Sequence, residues 1–260
     1  MRRIRGSSLP RHIRFCYAAA MESMSASETH PAAFAAGRAD APVRIVVLHG
    51  YTGSPGEFHQ LAESLAARLD ARVVVPFLPG HGTHESSLLR VSFDDLLEAA
   101  RGHVRRAAQG GHPLVIMGHS FGGYLAVLAR EEAPQCRALV LTVVPYALRF
   151  PFALPLLAWL MRWRDFWRKP LSAEEEALRR QAFFYLDMPG SALSWVQAAN
   201  GKMRAALRSC TVPILAIGTD GDDIATPESA PRIIADSGPA RGSKVIVLDG
   251  DGAMLMNLGS

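Results

Sequence analysis

Lysine, cysteine and late histidine are what this chain has little of. Only three of its 28 basic residues are lysine, a skew that reads as genome composition and carries no chemistry. The three cysteines, Cys16, Cys136 and Cys210, are odd in number and widely spaced. They exclude a disulfide framework and a cysteine metal cluster, and they predict a reducing, cytoplasmic setting. Long apolar runs are missing too. The longest, Phe150 to Met161, is twelve residues broken by Pro151 and Pro155, against the ~20 that a spanning helix needs. A soluble chain without a transmembrane segment is expected. Finally, no histidine follows His119, so the second half of the chain has no imidazole to offer.

What is present is an ordinary globular balance: 260 residues, 49% hydrophobic and 20% charged, with mean hydropathy +0.09. That length buries a sizeable core in one domain and excludes disordered and collagen-like chains. The net charge of +4 comes from the first 21 residues, which hold five arginines and no acid. The remainder is nearly neutral, so no nucleic-acid partner is expected. Residues 1–40 are read as a tail: disordered, a targeting segment, or an over-extended start with Met21 or Met24 as initiator. The domain is placed at 41–260.

Strands are predicted at Arg44–Leu48, Arg72–Val75, Leu114–Met117, Ala138–Val143, Ile214–Ile217 and Lys244–Leu248, each a continuous apolar run. Helices are predicted at 56–69, with Phe58, Leu61, Leu65 and Leu69 on one face, from the Ser92 cap to about Gln109, at 121–132 and at 228–236. This alternation predicts an α/β fold with a mostly parallel sheet and helices on both faces. It stops between about 145 and 210, a Pro-punctuated, aromatic stretch read as an insertion.

The sharpest motif is Gly118-His119-Ser120-Phe121-Gly122-Gly123, set between the strand LVIM and the helix YLAVLARE. A strand-to-helix turn this tight strains the serine backbone and needs small neighbours. It lifts the hydroxyl over the sheet edge and points a helix N-terminus at charge developing there. With His49-Gly50-Tyr51-Thr52-Gly53-Ser54, Pro79-Gly80-His81-Gly82 and Asp222-Asp223-Ile224-Ala225-Thr226-Pro227, the chain resembles the α/β-hydrolase superfamily. Within it, the likeness is to bacterial carboxylesterases and monoacylglycerol-lipase-like serine hydrolases.

The resemblance implies an α/β-hydrolase fold with a helical cap over the site. It implies Ser120 as nucleophile, the backbone N–H groups of Tyr51 and Phe121 as oxyanion donors, and Asp222 as the acid, ahead of Asp223 and Asp220, both read as solvated. His49 and His81 are expected to be structural, and His119 to point away from Ser120. The order serine, acid, histidine puts the histidine in the loop after Lys244–Leu248, where Ala253 stands instead. Three explanations are open: an engineered inactivation, a naturally degenerate relative, or a base from elsewhere such as His81 or His84. The chain also stops about seven residues past that loop, where relatives continue into a last helix, and a truncation is expected.

In the insertion, Trp159, Trp163 and Trp167 recur every fourth residue, a stripe serving either as cap core or as an acyl-pocket wall. Trp159, Trp163 and Trp195 are the candidate substrate contacts. The predicted substrate is a small ester with an apolar acyl part, and neither a metal nor an organic cofactor is expected. Hydrolysis of thioesters or carbon–carbon bonds on the same scaffold, or ligand binding without catalysis, are the alternatives.

Overall fold

The computed structural model describes residues 33–148, 156, 159–160, 166–168, 185–222, 224–238 and 242–250. The apolar runs become strands β1 (Phe34–Ala36), β2 (Val43–Leu48), β3 (Ala71–Val75), β4 (Leu114–His119), β5 (Cys136–Thr142), β6 (Phe166–Arg168), β7 (Asp187–Pro189), β8 (Ile214–Thr219) and β9 (Lys244–Leu248). Seven of them form one sheet in the order β1-β3-β2-β4-β5-β8-β9. All its neighbours are parallel except β1, which pairs antiparallel with β3.

Period-two burial explains how the sheet takes cover on both faces. Val46, Leu48, Leu114, Ile116, Leu139 and Leu141 enter one core with helices α2 (Phe93–Ala108), α3 (Phe121–Ala129), α4 (Ala192–Arg208) and α5 (Ser229–Asp236). Their alternates Ile45, Val47, Val73, Val75 and Met117 pack on the opposite face against α1 (His59–Leu69). Helix α3 is apolar all round and every one of its residues is buried, as a helix packed on several sides must be. Helix α2 begins where predicted: Ser92 caps it, Oγ accepting the Asp95 N–H at 3.1 Å while Asp95 accepts the Ser92 N–H at 2.9 Å.

Two features differ from expectation. Strand β1 lies inside the stretch read as a tail and extends the sheet by an antiparallel edge. The insertion, expected to be mainly helical, contains the antiparallel ribbon β6–β7 beside α4. Because β2, β4, β5, β8 and β9 run parallel, the loops that follow them leave one edge of the sheet, the usual ligand side of such folds.

Candidate functional site

At that edge, β4 passes into α3 through Ser120, whose φ of 51° and ψ of −119° lie outside the regions open to residues with a Cβ. Such strain costs roughly 1–3 kcal/mol and persists only where the surroundings enforce it. Here they do. The Ser120 N–H donates to Thr142 O at 2.8 Å and the Ser120 carbonyl accepts the Gly123 N–H at 3.0 Å. A side chain at Gly118 would collide with the backbone of Gly122 and Gly123, one at Gly122 with the carbonyls of Leu48 and His49, and one at Gly123 with Val144. Phe121 opens α3, so its N–H has no acceptor within the helix.

The loop after β2 approaches from the side. Gly50 faces Ser120 so closely that a Cβ there would lie 3.3 Å from the serine Cβ. Tyr51 follows, second in a turn closed by the Gly53 N–H on Gly50 O at 3.2 Å. Thr52, third in that turn, has a φ of 66°, a value usually left to glycine. Val143, after β5, has a φ of 44°. Thus Thr52, Ser120 and Val143, three of the four non-glycine residues with positive φ among the described residues, stand at the ends of adjacent strands. The sequence reading missed Thr52 and Val143; the former is legible only as an ill-suited residue in a turn position.

The nearby histidines are engaged elsewhere. His49 is buried, its Nδ1–H donating to Gly50 O at 2.9 Å and its Nε2 accepting the Leu78 N–H at 3.2 Å. Burial and the neighbouring His81 hold its pKa well below the usual imidazole range. His81 donates from Nδ1 to Pro79 O at 2.9 Å, and burial lowers its pKa to about 4. His119 pairs through Nδ1 with Thr142 Oγ1 at 2.9 Å, and burial brings it also to about 4. His84 receives the Ser86 N–H on Nδ1 at 3.2 Å. No hydrogen bond joins Ser120 Oγ to any of them, so the geometry gives no support to a base at His81 or His84.

On the far side of β5, the loop after β8 carries the acids. Asp222 Oδ1 accepts the N–H groups of Ile224 at 2.7 Å and Ala225 at 2.9 Å, which fixes the carboxylate on its own turn. A cleft of about 520 Å³ opens beside it, lined by Ala147, Leu148, Asp222, Thr226 and Arg232 among others. Asp220 is more than a solvated acid: its Oδ1 accepts the Gly250 N–H at 2.8 Å, while the Gly221 N–H donates to Gly250 O at 2.9 Å. The acid loop is thereby tied to the start of the loop that leads to position 253. Asp223 and Ala253 themselves lie outside the described residues.

From the insertion, Trp195 stands edge-on to the Tyr51 ring, centroids 5.4 Å apart, and Tyr51 in turn meets Phe121 at 5.7 Å. The Tyr51 hydroxyl is buried without a hydrogen-bond partner among the described residues, and burial raises its pKa. Trp159 is 51% exposed; Trp163 falls outside the described residues. Cys136 and Cys210 are buried free thiols, and burial pushes Cys136 up to about 11, which leaves it a poor nucleophile. Among the described residues no group of three or more His, Cys, Asp or Glu is arranged to hold a metal, and no helix is long and apolar enough to cross a membrane.

The chain is similar to the thermostable monoacylglycerol lipase of Bacillus sp. (strain H-257), 31% identical over 99 residues, and to the magnesium-chelatase 30 kDa subunit of Rhodobacter capsulatus, 30% identical over 174. Those stretches are 38% and 60% of this chain, and they span only 39% and 54% of the relatives' own lengths. Among solved structures, one of the metagenome-derived lipolytic enzymes LipS and LipT superposes with a TM-score of 0.73 at 19% identity, covering 87% of this chain and 91% of that one. That likeness is one of fold. The profile of the alpha/beta hydrolase family matches residues 45–257, most of the chain and, apart from the first two residues of β2, the strands that carry the loops above. The chain belongs to the alpha/beta hydrolase family.

Proposed function

We propose that this chain is a serine hydrolase of carboxylic esters with an apolar acyl part, lacking the histidine of its triad. The observation that carries the reading is the enforced strain at Ser120, which presents the hydroxyl at the N-terminus of α3. In this reading, with a histidine restored at position 253, Ser120 Oγ attacks the ester carbonyl and passes its proton to that histidine. The N–H groups of Tyr51 and Phe121 take the oxyanion, each worth ~3 kcal/mol to such a transition state. Collapse expels the alcohol, protonated by the same histidine, and water then releases the acid from Ser120 by the reverse sequence. Asp222 holds the imidazole in its working tautomer and stabilises the imidazolium. Trp195 beside Tyr51, with Trp159 and Trp163 from the insertion, supplies the apolar wall. Two free buried thiols suit a reducing cytoplasmic setting.

With Ala253 in place, the serine has no base and stays protonated at neutral pH. The donors and the wall remain, so residual acceleration of ~10³-fold over water is expected. The test is Ala253→His, assayed with a short p-nitrophenyl ester. Recovery on the order of 10³-fold or more in kcat, rising with pH through an ionisation near 6.5 or above, is the expected result. A folded Ala253→His protein with no gain would favour ligand binding without catalysis.

A further inference from the structure

We propose that Tyr185, from the insertion, is a positioning residue: it clasps the Gly50–Gly53 turn in its strained form and so fixes the oxyanion donor. The proposal rests on the reading of Ser120 and Tyr51 just given, and it extends the insertion's role from wall to clamp.

Four contacts of one residue carry it. The Tyr185 hydroxyl accepts the Thr83 N–H at 2.8 Å and donates to Gly80 O at 3.2 Å. Its ring is stacked on His81, centroids 6.2 Å apart and planes within 11°. Its backbone N–H donates to Thr52 O at 2.9 Å. The phenol thus spends its donor and one acceptor site on the backbone of the loop after β3. That anchorage sets where the Tyr185 N–H points, and it points at the carbonyl of Thr52, the strained residue of the turn.

A β-branched residue at a positive φ favours rotation about its own N–Cα bond toward negative φ, which would swing its carbonyl and open the turn. The opening would release the Gly50–Tyr51 peptide, which carries the Tyr51 N–H. Within the turn, the Gly53 N–H on Gly50 O at 3.2 Å resists this opening from one side. The bond from the Tyr185 N–H to Thr52 O resists it from outside the turn.

The first arm uses the chain as it stands. Tyr185→Phe keeps the ring on His81 and removes the hydroxyl. Amide exchange in residues 49–54 should then quicken ~10-fold, with the 117–124 segment unchanged. Adding Thr52→Gly, which adopts the turn without strain, should restore protection to within about twofold. The second arm repeats the series in Ala253→His: Tyr185→Phe should lower kcat ~10-fold at nearly constant KM, and Thr52→Gly should return it. Unaltered exchange after Tyr185→Phe, or no rescue by Thr52→Gly, overturns the clasp. Exchange that behaves as expected in a protein whose Ala253→His form hydrolyses no ester leaves the clasp standing and overturns the reading of Ser120.

Discussion

The middle of the sheet and its β9 edge are built to different standards. Around β2 and β4 both faces are covered and the last four residues of each strand are buried. There Ser120, Thr52 and their glycine neighbours are held in conformations the chain would not choose alone. Around β9 the burial is thin, with Val245 38% and Ile246 40% exposed. The acid loop there is held by an Asx turn at Asp222 and by the bonds of Asp220 and Gly221 to Gly250. The lesson is one of separable parts. The parts assigned to nucleophile and oxyanion are backbone geometry locked by packing, whereas the part assigned to the acid is a side chain on a lightly held loop.

The largest expected effect sharpens this contrast from the acid side. In an Ala253→His background, Asp222→Asn should lower kcat on the order of 10³-fold, read on the same short ester, with little change in thermal midpoint. Next is a pH effect confined to the packed side, where the buried histidines sit. His81 and His119 stay neutral down to about 4 when folded, whereas in the unfolded chain they protonate near 6.5. Protonation therefore favours unfolding between those values. Stability should be full above pH 6.5 and fall toward pH 4, by about 3 kcal/mol for each histidine at the lower limit. Urea midpoints across that range would show it, and His119→Gln should flatten the slope.

Gly122→Ala should cost about 2–3 kcal/mol in denaturant unfolding, because its methyl meets the carbonyls of Leu48 and His49, which cannot yield as a side chain would. The smallest effect returns to the thin side. Asp220→Ala removes one hydrogen bond to Gly250 and should cost about 1 kcal/mol, with faster amide exchange confined to residues 219–222 and 248–250. Equal losses from Gly122→Ala and Asp220→Ala would erase the contrast between the middle of the sheet and its β9 edge.

Much of this was legible in the sequence, for identifiable reasons. Every predicted strand formed, because a parallel strand buried on both faces is a continuous apolar run that needs no partner to be recognised. The turn at Ser120 was legible because only glycine fits its close approaches. Strand β1 was not: Phe-Ala-Ala carries no alternation, and its pairing with Val73–Val75 defines it. The ribbon β6–β7 joins two three-residue segments about twenty residues apart, too short to show a period. Asp220 read as a solvated acid until its bond to Gly250, thirty residues later, set it apart. Tyr185 contacts Gly80 and Thr83 across more than a hundred residues, and no local signal announces such a contact.

The central claim, that Ser120 is a nucleophile wanting only its base, is tested most directly by covalent capture. A fluorophosphonate would be added to the chain as it stands, to Ala253→His, and to Ala253→His with Ser120→Ala, and the adduct located by peptide mass spectrometry. The account predicts an adduct on the peptide containing Ser120, formed at least ~10²-fold faster with histidine at 253, and none after Ser120→Ala. Equal labelling with and without the histidine, or an adduct on another residue, would contradict it.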